Sequence, residues 1–160
     1  MASNPGVADD PLGFTFIDDK QRLARDLLEV RFMIEPQMAR MAAEHATNDQ
    51  VVFIKELCDE SERLADAGED YSAADTAFHN AIAESSGNLV VPRLMGVLKA
   101  SVPLFIDVTG KKLVEETIRT HRDVADAIAS RNPTAAHDAM YLHLVYNRNM
   151  IAEGTQDQSE

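Results

Sequence analysis

Two histidines stand at equal distances from one turn. His121 lies eleven residues before Asn132, and His143 lies eleven residues after it. Asn132-Pro133 sets an N-cap residue beside a proline at the first helical position, a restart signal between two helices. In an antiparallel helical hairpin, equal spacing from the turn means equal height, each residue about 16 Å from the apex at 1.5 Å per residue. Val124, Ala125 and Ile128 lie on the His121 side of the first helix, and Ala139 and Met140 lie three or four residues from His143. Both imidazoles are therefore expected to face one interior. Upstream, Asp75 and His79 form an i, i+4 pair that stacks on one helix face. One carboxylate and three imidazoles suit a divalent metal: zinc first, with nickel, cobalt, manganese or iron(II) also fitting, and cysteine not among the ligands. Two plainer readings stay open. Asp-x-x-x-His also describes a helix-surface ion pair, and paired histidines in a hairpin can simply be core. His137, six residues before His143, is turned about 240° away on the helix and is expected at the rim or in solvent. His45 suits the C-terminal end of a helix, where a cation meets the dipole.

These residues need helices to hold them. The first is expected to start at Asp18 or Asp19 and to carry Leu23, Leu27, Val30, Ile34, Met38 and Met41 every three or four residues. Pro36 predicts a break or kink. Thr47-Asn48-Asp49-Gln50 has the form of a capping box and opens a second helix to about Ala67, with Gly68 as its stop. Asp70 can cap a third helix that runs through Ser85 to a stop at Gly87. A fourth is expected from about Leu89 to Val108, with Pro92 in its first turn, Pro103 inside and Gly110 after it. Leu94, Leu98, Val102 and Phe105 on it would line a cavity or form plain core. A fifth runs from about Lys112 to Ser130, and a sixth from Pro133 to about Ala152. There is no strand-like alternation and no internal repeat. The expected fold is all-α: an antiparallel bundle of six to seven helices enclosing a central cavity.

The domain organisation is expected as a linker or leader over 1–17, one domain over 18–152 and a polar tail over 153–160. A chain of 160 residues with 45% hydrophobic residues can bury a sizeable core. Its 15 basic and 27 acidic residues give a formal net charge of −12, a field that repels phosphate backbones. Nucleic-acid binding by these residues alone is therefore not expected. The single cysteine, Cys58, excludes an internal disulfide framework and reads as a buried thiol in a reducing compartment. No apolar run approaches the roughly 18 residues of a membrane span. The start lacks the basic and apolar regions of a signal peptide. A cytoplasmic protein is expected.

Four segments share a pattern. Asp75-Thr-Ala-Phe-His79 with Ser86-Gly87-Asn88 resembles the D-x-x-F-H…S-G-N signature of the FCD ligand-binding domain, the C-terminal effector domain of GntR-family transcription regulators. His121-Arg-Asp-Val-Ala-Asp-Ala127-Ile128 is similar to that family's H-x-x-(I/V)-x-x-A-I. Ala139-Met140-Tyr-Leu-His143-Leu144 is similar to A-M-x-x-H-L, and Leu28-Glu-Val-Arg31-Phe-Met-Ile-Glu35-Pro36 to L-x-x-R-x-x-(L/I)-E-P. The resemblance covers residues 18 to 152. It implies that Asp75, His79, His121 and His143 hold a divalent metal, as in the metal-binding branch of the family. It also implies a DNA-binding winged helix-turn-helix, which regulators of this family carry N-terminally and which these residues lack.

The function expected on this basis is effector sensing. The metal's open positions would take a small organic acid, and Arg31, which the resemblance places facing the cavity, would grip the carboxylate in a bidentate fork. The competing role for Arg31 is an i, i+4 ion pair with Glu35. Asn88 would donate to the ligand, or else cap the next helix. A homodimer is expected. Two other readings have distinct consequences. A metal-dependent hydrolase would need a general base, for which Glu35 and Glu84 are the carboxylates at hand. A stand-alone helical binding protein would leave the histidines in the core, without response to metal.

Overall fold

The computed structural model describes residues 12–98 and 114–154. A 3-10 turn at Phe14–Phe16 leads into α1 (Lys20–His45), followed by α2 (Asn48–Asp66), α3 (Ser72–Ser85), α4 (Val91–Leu98), α5 (Val114–Ala129) and α6 (Pro133–Gly154). No strand occurs among the described residues. The all-α expectation holds. Of the expected fourth helix, the part from residue 99 onward, with Val102, Pro103, Phe105 and Gly110, lies outside the described residues. So does the start of the fifth near Lys112.

The helix starts follow local chemistry. The Arg22 amide donates to Asp19 Oδ1 at 2.9 Å. At α2 the capping box is complete: the Gln50 amide donates to Thr47 Oγ1 at 3.2 Å, and the Thr47 amide to Gln50 Oε1 at 2.9 Å. Thr47→Ala is expected to cost about 1 kcal/mol, read as a lower urea midpoint with unchanged slope. Asp70 is not the cap expected of α3: the N-cap is Tyr71, without a side-chain cap, and Asp70 Oδ1 accepts from the Ser72 amide at 3.1 Å in the turn just before it. Gly87 follows α3 with φ 73°, and a Cβ there would sit 3.3 Å from that of His45. The turn between α5 and α6 places Arg131, rather than a glycine, in the left-handed region at φ 55°. Its guanidinium is tied to the carbonyl of Ala46 and to Asn48 Oδ1. Asn132 Oδ1 then accepts from the Ala135 amide at 3.1 Å and caps α6.

Two features of α1 bear on what was expected of it. Pro36 does not break the helix, which runs from Lys20 to His45. Pro36 is itself buried, and α1 packs against α6, α3 and α5. Tertiary contacts thus hold the turn that lacks one backbone bond. The buried phase also differs from the apolar spacing. Val30 is exposed, while Leu23, Ala24, Leu27, Leu28, Arg31, Glu35, Met38, Ala39 and Ala42 face inward. Two charged residues occupy the middle of the buried stripe.

The helices close a ring. α1 packs along α6, α6 against α5, α5 against α2, α2 against α3, and α3 back against α1, with α4 leaning on α3. Met38, Ile54, Phe78, Ile82, Val124, Ile128 and Met140 fill the core. Phe14 packs against it, so this part of the expected leader touches the domain. At the other end α6 continues to Gly154, two residues into the expected tail. Leu98 is buried, but Leu94 is exposed. Cys58 is buried, and burial pushes its thiol up to about 11, which keeps it protonated and inert. No helix among the described residues is long and apolar enough to cross a membrane.

Candidate metal centre

Four elements converge inside the ring. α3 supplies Asp75 and His79, α5 supplies His121, α6 supplies His143, and α1 supplies Arg31 and Glu35; all six are buried. The hairpin argument holds: the His121 and His143 rings lie 4.7 Å apart between centroids. His79 joins them, 5.3 Å from each. One nitrogen from each of the three rings falls within 4.8 Å of the other two. Asp75 Oδ1 lies 3.4 Å from His121 Nε2. The i, i+4 pair on α3 is thus interior and not a surface ion pair. Phe78 stacks on His121 at 4.4 Å and walls the cluster on the core side.

His121 makes the arrangement informative. It is fully buried, and neither of its ring nitrogens has a hydrogen-bond partner. A buried polar atom left unpaired costs about 1–3 kcal/mol, so an unused imidazole lone pair beside two further imidazoles and a carboxylate suits a cation that would take it. The electrostatics agree. Burial, with His79 and Arg31 nearby, holds His121 well below the usual histidine range. Burial together with the other two imidazoles and Arg31 does the same to His143. Both are neutral at pH 7, with lone pairs that no proton occupies. Burial raises the Asp75 carboxyl above its ordinary value, against the pull of His79 and Arg31. A nearby cation would reverse that shift.

Glu35, expected only as a rival partner for Arg31 or a general base, is part of the cluster. It is fully buried between Arg31 and His79. Arg31 Nε donates to Glu35 Oε1, and Arg31 Nη2 to Oε2 at 3.3 Å. His79 Nδ1 stands 2.8 Å from Oε2, at ion-pair distance but without hydrogen-bond alignment. Burial opposes ionisation of Glu35, yet the charges of Arg31 and His79 outweigh it and hold the carboxyl well below its usual range. Arg31 therefore reaches the site in the company of Glu35; the ion pair and the site position are one arrangement. Thr120, unforeseen, sits beside His143, its Oγ1 3.0 Å from Nδ1.

Asn88 is placed elsewhere. It is exposed, and its Oδ1 accepts from the amides of Val90 and Val91 at 2.8 and 3.3 Å. It caps α4, and the structure does not bring it to the cluster. His137 is at the rim beside Asp138, and His45 and Glu84 are exposed.

Comparison with known proteins matches residues 26–146 to the FCD domain. The chain belongs to the FCD-domain family. Its relatives are transcription regulators. It is 27% identical over 132 residues to the uncharacterized HTH-type transcriptional regulator YcbG of Bacillus subtilis, covering 82% of this chain and 56% of that protein. It is 27% identical over 151 residues to the HTH-type transcriptional repressor NanR of Salmonella newport, covering 84% and 57%. The solved Streptococcus agalactiae GntR superposes with a TM-score of 0.79 at 35% identity, covering 93% of this chain and 69% of that one. The FCD chain thus spans a little over half the length of the curated relatives it matches. These relatives are regulators and not enzymes, which agrees with the expectation of no catalysis.

Proposed function

We propose that this FCD domain senses a small organic acid through a divalent metal held by Asp75, His79, His121 and His143, and so controls DNA binding by a winged helix-turn-helix joined to its N-terminal side. The observation that carries the reading is the buried three-histidine cluster with both His121 nitrogens unpaired. Charge supports it. Arg31 and Glu35 cancel, and Asp75 adds a negative group to imidazoles of which His121 and His143 are held neutral. Such a site favours a cation. The ion, when bound, would supply open positions for a carboxylate oxygen. Zinc suits the donor set best, with nickel, manganese or iron next.

The chain's own residues do the rest. Asp75 and His79 lie on α3, His121 on α5 and His143 on α6, so filling the site ties three helices to one point. Arg31 would offer the acid a guanidinium, in competition with Glu35. Binding would favour one arrangement of the bundle, which the linker passes to the DNA-binding domain. The protein would act in the cytoplasm as a homodimer.

The test is stoichiometry. Metal-stripped protein dialysed against zinc is expected to retain about one ion per chain, and His143→Ala to retain none, measured by elemental mass spectrometry. Equal retention by both would sink the reading. Hydrolysis of esters or phosphoesters that disappears on chelation would favour an enzyme instead.

A further inference from the structure

The groups around the histidines obey a donor–acceptor logic that decides which ring nitrogen is presented. A threonine hydroxyl has one proton to donate. Thr120 Oγ1 lies 2.7 Å from the Glu116 carbonyl and 3.1 Å from that of Thr117, both acceptors only. Its proton is committed to its own helix. Toward His143 Nδ1, 3.0 Å away, Thr120 can then only accept. This arrangement favours the ring's proton on Nδ1 and the lone pair on Nε2. On the other side of the ring, Asn147 Nδ2, which can only donate, lies 3.4 Å from Nε2. The two partners agree.

His79 shows the same sense with other chemistry. Arg31 Nη2, from a guanidinium with donors only, lies 3.5 Å from His79 Nε2. Glu35 Oε2, an acceptor, lies 2.8 Å from Nδ1. The carboxylate favours a proton on Nδ1 and the guanidinium favours a lone pair on Nε2. His121 has no hydrogen bond on either nitrogen, with Asp75 Oδ1 standing 3.4 Å from its Nε2. Of the three imidazoles, His143 is the one hydrogen-bonded through both ring nitrogens.

We infer that Thr120 is a positioning residue that holds His143 in the Nδ1–H tautomer and so leaves the Nε2 lone pair for the centre the three histidines share. The inference rests on the metal-sensing reading for its consequence, but the tautomer itself does not. Groups that hold a ligand histidine by its other nitrogen commonly change metal affinity by about 10–100-fold. Thr120→Val keeps the shape of this buried residue and removes the acceptor, whereas Thr120→Ser keeps the hydroxyl.

The experiment uses the 160-residue chain, metal-free and then titrated with zinc ions alone. Two-bond ¹H–¹⁵N correlation spectra of the metal-free protein at neutral pH are expected to show His143 and His79 as Nδ1–H tautomers. Thr120→Val is expected to let His143 populate the other tautomer and to raise the zinc dissociation constant about 10–100-fold, with Thr120→Ser returning both toward wild type. An Nε2–H tautomer for His143 in wild type overturns the inference, whatever zinc does. So does wild-type zinc affinity in a folded Thr120→Val. If wild type binds no zinc, the metal reading fails, while the tautomer spectrum still decides the role of Thr120.

Discussion

Glu35→Ala is expected to destabilise the metal-free protein by about 3 kcal/mol or more, because it strips the principal counter-charge from a buried guanidinium. Arg31 keeps its charge whatever stands at position 35. Its guanidinium cannot shed its proton inside a protein, and it lies buried at the centre of the bundle. The reverse substitution, Arg31→Met, is expected to cost less. The Glu35 carboxyl left behind can take up a proton, and His79 Nδ1 is 2.8 Å away to share the charge. Methionine also keeps much of the apolar stem. Replacing both partners, as Arg31→Met with Glu35→Leu, is expected to recover most of the stability lost by Glu35→Ala, since a buried pair of charges exchanged for apolar groups of similar volume is close to neutral. For a chain of this size a loss of about 3 kcal/mol lowers the melting temperature by roughly 6–12 °C. The order of the three variants in a melting series is the discriminating result. If Arg31→Met melts below Glu35→Ala, unpaired charge is not what governs this site.

The asymmetry explains why this part of the site was hard to see in the sequence. Arg and Glu four residues apart are the ordinary furniture of exposed helices, and charge type alone places them in water. The clue lay in phase. Arg31 and Glu35 continue the row formed by Ala24, Leu27, Leu28, Met38, Ala39 and Ala42, whereas Val30 follows the other face and is exposed. A charged pair on the inward row is either an error in the phase or a site. The His121–His143 hairpin was legible for the opposite reason: helical rise is fixed, Asn132-Pro133 dates the turn, and equal spacing leaves little freedom. Asp75 and His79 needed a third element to become more than a surface pair, and α3 is brought to the hairpin only by the ring of helix contacts. Asn88 misled because a polar residue after Gly87 fits both a ligand contact and a cap, and the backbone amides of Val90 and Val91 claim its oxygen. Thr120 carries no signal of its own; its role depends on which carbonyls take its proton.

His121→Leu is expected to separate stability from sensing. In the metal-free protein His121 is fully buried with both nitrogens unpaired, its Nε2 3.4 Å from Asp75 Oδ1 and its ring face on Phe78. An apolar side chain of similar size removes the orphaned atoms and keeps contact with Phe78, so the metal-free variant is expected to be more stable than metal-free wild type by about 1–3 kcal/mol. With zinc the order reverses. A ligand that binds only the folded state adds about 2.7 kcal/mol at a concentration 100 times its dissociation constant. Wild type is therefore expected to melt higher with zinc, while His121→Leu is expected to show no shift. A buried group that costs stability when empty and returns it when filled is what a metal ligand requires, and a core histidine satisfied by its surroundings would behave in neither way. Melting curves of the two proteins, each stripped and each with zinc, contain the decision. A His121→Leu variant less stable than stripped wild type would show that the imidazole already contributes to the fold without a metal, and the case for the site would lose its main physical support.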